Sequence, residues 1–144
     1  IPVAELTHRG PAEHIGESIR RFIDWRKAQG LPPRTHATYN IFYDDPKHTP
    51  PQDFRLGLCV ATGQEIAPND AGVTAGCIPG GRCAVLRYVG SDDGLDAAAC
   101  YLYAEWLPQS GEEPRDFPLY GQRVRFFPDV PEHEAILDLF LPLK

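Results

Sequence analysis

Glu5-Leu6-Thr7-His8-Arg9-Gly10-Pro11 is restated eighty positions later as Val85-Leu86-Arg87-Tyr88-Val89-Gly90-Ser91. Each copy is a strand-like run that stops at a glycine and leads into an amphipathic, helix-like run. Gly10 matches Gly90, Ile15 matches Leu95 and Phe22 matches Leu102, while Trp25 falls one place short of matching Trp106. This echo predicts two similar halves about a pseudo-two-fold axis with a shared central cleft between them. Such clefts suit small-molecule binding. The two tryptophans are expected near its middle.

Working outward, Val3 to Arg9 reads as a strand closed by Gly10-Pro11. A helix is predicted from about Glu13 to Gln29, with Ile15, Ile19, Phe22 and Ile23 as its buried stripe. Gly30 stands where a glycine cap belongs, and Pro32-Pro33 forbid continuation. Ala37 to Tyr43 and Phe54 to Ala61 read as strands, the second with Leu56, Leu58 and Val60 on one side. Gly63 to Gly76 reads as loop, with order restarting at Cys77-Ile78. The second half repeats the plan. A strand runs from Arg82 to Val89, and Asp92 and Asp93 offer capping chemistry for a helix over about Leu95 to Leu107. Its expected buried stripe is Leu95, Ala98, Ala99, Leu102, Tyr103 and Trp106. Strands over about Leu119 to Phe127 and Ala135 to Leu141 close the chain, separated by Pro128-Asp129-Val130-Pro131.

The predicted class is therefore α+β, a single domain spanning 1–144. It consists of two strand-helix-strand-strand repeats, about 1–62 and 77–144, with an antiparallel sheet carrying both helices on one face. At 144 residues the chain is long enough to bury a real core, and 42% hydrophobic with 24% charged residues is ordinary for a globular domain. A net charge of -6 argues against a basic face for nucleic acid. Arg20-Arg21 with Arg26-Lys27, and Arg123 with Arg125, read as solvated faces rather than DNA contacts. No apolar run is long enough to span a bilayer, and no signal-peptide pattern opens the chain. The four cysteines lack CxxC spacing, and three lie in apolar runs. They read as buried free thiols of a cytoplasmic protein, and no metal site or cofactor is predicted. The chain has no Met and opens abruptly at Ile1, which points to a processed chain or a fragment, the fragment being preferred.

Five motifs in order then carry a resemblance. Tyr43-Asp44-Asp45-Pro46, Thr49-Pro50-Pro51, Phe54-Arg55 and Cys59-Val60 form the first. The others are Ile78-Pro79-Gly80-Gly81-Arg82-Cys83-Ala84-Val85, Trp106-Leu107-Pro108-Gln109-Ser110-Gly111, Phe127-Pro128-Asp129-Val130-Pro131-Glu132-His133-Glu134 and Leu139-Phe140-Leu141-Pro142-Leu143. Together they resemble the GyrI-like small-molecule-binding domains over nearly the whole chain. The resemblance implies a ligand cleft along the pseudo-dyad. It also implies a role as the effector-binding end of AraC-type regulators, or as a stand-alone protein tied to gyrase inhibition or toxin breakdown. Multidrug-sensing members seat cationic aromatic ligands against buried acidic and aromatic side chains. Two departures matter. Gly57 stands where the family often has an acid, and Leu119-Tyr120-Gly121-Gln122 follows Pro118 where a glutamate is common. Gln122 can hydrogen-bond a neutral polar ligand but supplies no charge.

Among candidate ligand-binding residues, Trp106 leads. Trp25 joins it as a stacking surface, with Tyr39, Tyr43 and Tyr120 along the strands; for each the competing reading is plain core packing. Glu105, if turned inward among Tyr103, Trp106 and Tyr120, would need a cation or a proton; turned outward, it is a solvated side chain. Arg123 and Arg125 are expected to share a face opposite the apolar one. They would select an anion if that face lines the cleft, and otherwise meet solvent. The adjacent acids of Tyr43-Asp44-Asp45-Pro46 are sufficiently explained by a turn, and His133-Glu134 point apart on an extended chain.

No nucleophile elbow, phosphate loop or metal quartet can be assembled. Enzymatic activity rests on the resemblance alone, with Glu105 as acid or base and Tyr103 or Tyr120 orienting a water. The expected function is reversible binding of a small amphipathic or aromatic effector by the sensing domain of a transcription regulator. DNA contact would lie outside this chain, no membrane would be involved, and a homodimer is left open. The alternatives are a detoxifying protein that sequesters or hydrolyses a reactive aromatic compound, and a gyrase-inhibitor-like protein-binding protein.

Overall fold

The computed structural model describes residues 1–126 and 129–144, so Phe127 and Pro128, of the predicted fifth strand and its following turn, lie outside the described residues. The fold is α+β with antiparallel strands, and the chain divides into two compact units, Ile1–Gly80 and Gly81–Lys144.

In the first unit β1 (Pro2–Arg9) leads through a 3-10 turn, Ala12–His14, into α1 (Ile15–Gln29). Then come β2 (Thr38–Ile41), β3 (Arg55–Ala61) and β4 (Val73–Cys77), in the order β4-β1-β3-β2. β4 was predicted as loop. Glycines at 72 and 76 and a polar Thr74 hide a strand that forms because β1 supplies a pairing edge, Val3 opposite Gly76 and Leu6 opposite Val73. Tertiary pairing overrides weak local propensity.

Strand alternation splits this sheet cleanly. Ala4, Leu6, Leu56, Leu58, Val60 and Val73 pack with Phe22 and Trp25 of α1 in one hydrophobic cluster. Ile19 and Ile23, expected in that stripe, are instead 41% and 44% exposed; Ser18, Phe22, Trp25 and Arg26 are the buried positions. The stripe is rotated because the large rings at 22 and 25, stacked 6.1 Å apart, are what fill the space over the strands. Arg26, predicted on a solvated face, is buried beneath the C-terminal turn. Its guanidinium donates to Leu31 O at 2.9 Å, Thr38 Oγ1 at 2.8 Å and His36 O at 3.1 Å, and burial brings its pKa down to about 10. Gly30 ends the helix in the left-handed conformation, φ 70°.

The second unit holds β5 (Cys83–Val89), a 3-10 turn Asp92–Gly94, α2 (Leu95–Tyr101), a π turn Leu102–Trp106 and α3 (Leu107–Ser110). β6 (Tyr120–Arg125) and β7 (Ile136–Pro142) complete it, in the order β6-β7-β5. The π turn breaks the expected stripe. Leu107 N–H bonds Leu102 O, five residues back, and the widened turn accommodates Pro108, whose ring would otherwise press on the carbonyl four residues earlier. Consequently Leu102 is buried, Trp106 is half-buried and Tyr103 is 44% exposed. Asp92 caps nothing; it receives two bonds from Arg123, at 2.7 and 3.1 Å. A bulge between Arg123 and Arg125 sets Arg123 opposite Leu137 and Arg125 opposite Ile136. The two arginines therefore do not share a face. Of the cysteines only Cys59 is buried, while Cys77 on β4 and Cys100 on α2 are exposed; all four are free thiols.

Corresponding turns close the two β-to-α connections. Gly10 (φ 112°) and Gly90 (φ 142°) both take the positive φ that glycine adopts at no steric cost. His8 Nε2 donates to Gly10 O and Pro11 O at 3.2 and 3.1 Å, and Tyr88 OH donates to Ser91 O at the equivalent place. Because Nε2 faces two carbonyls, the neutral ring carries its proton there and Nδ1 accepts from Ser18 Oγ at 2.7 Å.

Candidate functional site

On β1 the residues between the core positions are Val3, Glu5 and Thr7. They lie opposite Ala61, Cys59 and Gly57 of β3, and Tyr39 of β2 lies opposite Cys59 on the same face. This face turns away from α1. Glu5 stands in it half-buried, accepting from Thr7 Oγ1 at 2.9 Å and from Tyr43 OH at 2.7 Å. Among the described residues no basic side chain lies within ion-pairing distance of Glu5. Its neighbours are held neutral: burial, then the bond to Glu5, pushes the Tyr43 phenol up, and burial pushes the Cys59 thiol up. Glu5 is thus a lone negative charge held by neutral donors.

Gly57 makes room for it. A Cβ on Gly57 would come within 2.7 Å of Glu5 Oε2 and 3.1 Å of Ile41 Cβ. The space beside position 57 is thus taken by a carboxylate from the neighbouring strand. Sequence reading missed Glu5, because the alternation of Glu5 and Thr7 with Ala4 and Leu6 marks only the polar face of a half-buried strand.

The same unit also carries an open polar depression of about 450 Å³ lined by Arg9, Asp44, His48, Gln52, Asp53 and Arg55. Arg55 lies over the Tyr43 ring at 5.3 Å and holds Asp44 by two bonds of 3.0 and 3.2 Å. That pairing keeps the Asp44 carboxyl below its ordinary range.

In the second unit Tyr120 stacks on Phe140 at 5.0 Å and 4°, meets Phe117 edge-on at 6.0 Å, and brings its hydroxyl to 3.7 Å from Cys83 Sγ. Gln122 stands on the same side of β6, opposite Asp138, which is gripped by Arg87 at 2.8 and 3.0 Å.

Tyr39 and Tyr43 share the Glu5 neighbourhood, and Tyr120 and Gln122 share one strand face. Tyr103, Glu105 and Trp106 sit on the π turn, where Glu105 is exposed. Trp25 is 8% exposed and belongs to the core of the first unit. Among the described residues no group of three metal-ligating side chains exists, and no helix is long and apolar enough to cross a membrane.

Comparison with known proteins places the chain in a family. A family model described as the GyrI-like small molecule binding domain matches residues 1–144. The chain is 37% identical over 144 residues to a probable transcriptional regulator, YgiV, of Escherichia coli K12, covering 99% of this chain and 90% of that one. It is 28% identical over 104 residues to DNA gyrase inhibitor 2 of Dickeya dadantii, covering 71% of this chain and 64% of that protein. Its fold is similar to the crystal structure of the EcmrR C-terminal domain, with a TM-score of 0.77 at 14% identity, covering 99% of this chain and 90% of that one.

Proposed function

We propose, for a chain that belongs to the GyrI-like small-molecule-binding family, that it reversibly binds a small amphipathic aromatic molecule as the effector-binding domain of a transcription regulator. The observation that carries this reading is Glu5. A half-buried carboxylate held only by hydroxyls, beside Tyr39 and Tyr43, is a site at which a cationic group on a flat ligand gains charge attraction and aromatic contact together. Within the second unit, Tyr120, Gln122 and Trp106 offer aromatic and neutral polar surface of their own. Binding acts on transcription by favouring one of two arrangements of the whole regulator, through differential affinity. DNA contact belongs to other segments or chains, in keeping with the net charge of -6.

The relative named a DNA gyrase inhibitor favours a second reading, in which the domain binds a protein. One experiment separates them. The chain is screened by thermal shift and then titration calorimetry against cationic aromatic dyes, neutral aromatics and small acids. A cationic dye should bind and be recovered unchanged, and Glu5→Gln should weaken it by about 10- to 100-fold, the worth of one charge-assisted contact. A hit consumed during incubation would replace sensing with hydrolysis. No hit in any class would move the reading to the protein partner.

A further inference from the structure

The two units treat equivalent strand edges differently. In the first, the outer edge of β1 is covered by β4 along Pro2 to Leu6. In the second, β5 occupies the corresponding place and pairs with β7 on its inner side, ending the order β6-β7-β5.

The direction of the free backbone groups follows from the ladder. Leu143 N–H bonds Arg82 O and Gly90 N–H bonds Ala135 O, each at 2.9 Å, so the even-numbered residues of β5 are the hydrogen-bonded ones. In an antiparallel ladder these alternate with residues whose N–H and C=O point away from the partner strand. The outward groups therefore belong to Cys83, Val85, Arg87 and Val89, and among the described residues none of them meets a protein partner. Val85 and Val89 are each 57% exposed, the most exposed of the large apolar side chains in the described residues. β5 carries no proline and no lysine, no further strand lies over it, and its one charged residue, Arg87, is paired with Asp138.

We propose that this edge pairs with β5 of a second copy of the chain, antiparallel about a two-fold axis, filling the place that β4 fills beside β1. A second copy is the occupant the charges favour. Arg87 is neutralised by Asp138 at 2.8 Å and Arg82 by Glu112 at 2.9 Å, so two such edges meet without opposing free charges. An antiparallel strand pair is also self-complementary: the same outward groups donate and accept on both sides. The β-branched valines add cross-strand contact.

The test is the mass of the chain in solution, by sedimentation and light scattering across a wide concentration range, for the wild type and Val85→Pro. The proline removes an N–H that β7 does not use, so folding should persist while self-association weakens by about tenfold or more. Should that variant fail to fold, the double variant Val85→Lys with Val89→Lys, which charges the edge without touching the backbone, decides instead. A concentration-dependent dimer lost in the folded edge variant is the expected result. A wild-type chain that stays monomeric at every concentration, or a dimer indifferent to the edge variants, overturns the proposal.

Discussion

β1 and β5 hold the same place in the two halves, yet they have been put to different uses. β1 presents Glu5 and Thr7 where β5 presents Val85 and Arg87, and on the next strand Gly57 stands where Asp138 does. In the second half the acid is on β7 and is satisfied by an arginine directly opposite it. In the first half the acid has moved to β1, the arginine has become a threonine, and the position of the second acid is a glycine that leaves space for Glu5. The scaffold repeats down to the positive-φ glycines and the hydrogen bonds that close each turn. The carboxylate differs: one half neutralises it, and the other leaves it for something else to meet.

The sharpest way to break the comparison is to write one half into the other. Gly57→Asp alone brings a second carboxylate against Glu5, and should cost about 2–4 kcal/mol in denaturant melts. The triple variant Glu5→Val, Thr7→Arg, Gly57→Asp reproduces the pairing of the second half, and should recover most of that loss while remaining unable to bind a cationic ligand. Failure to recover would mean the two halves are not interchangeable at this layer.

The turn locks give a smaller contrast. His8→Phe strands the Ser18 hydroxyl and two carbonyls in a site where His8 is 3% exposed, and should cost about 2–3 kcal/mol. Tyr88→Phe removes one half-exposed bond and should cost about 1 kcal/mol. Equal losses would show that the two locks do the same work despite their different burial.

The smallest effect concerns acid. Arg87 holds the Asp138 carboxyl below its ordinary range, so the folded chain binds fewer protons there than the unfolded one. The stabilisation is complete above about pH 4 and fades as pH falls through the depressed value. Asp138→Asn should therefore lower melting temperature slightly at neutral pH and flatten its fall on acidification. An unchanged acid limb would remove the pair from the account, as happens for many exposed ion pairs.

Much of the architecture was legible because it is periodic. The eighty-residue echo located β1, β5, the helices that follow them and the turn glycines Gly10 and Gly90, and alternation in β3 marked its core face. β4 was not legible, since its residues have little strand preference of their own and form a strand only against β1. Nor was the burial of Arg26, which depends on three acceptors brought together from Leu31, His36 and Thr38. The aromatic candidates were read as one group, but Trp25 packs in the core and the π turn redirects Tyr103 and Trp106. Glu5 was the reverse case: nothing local distinguishes it from a solvated strand glutamate until Gly57 and Tyr43 are placed beside it.

By itself, the sequence determined the fold class and the family, because hydrophobic period and turn chemistry are local properties read along one chain. Tertiary structure alone decided which charges stand unpaired, which strand edge is open and which aromatic side chains are spent on packing. Those depend on partners contributed by distant segments, and a carboxylate's chemistry is set by what surrounds it rather than by its place in the chain.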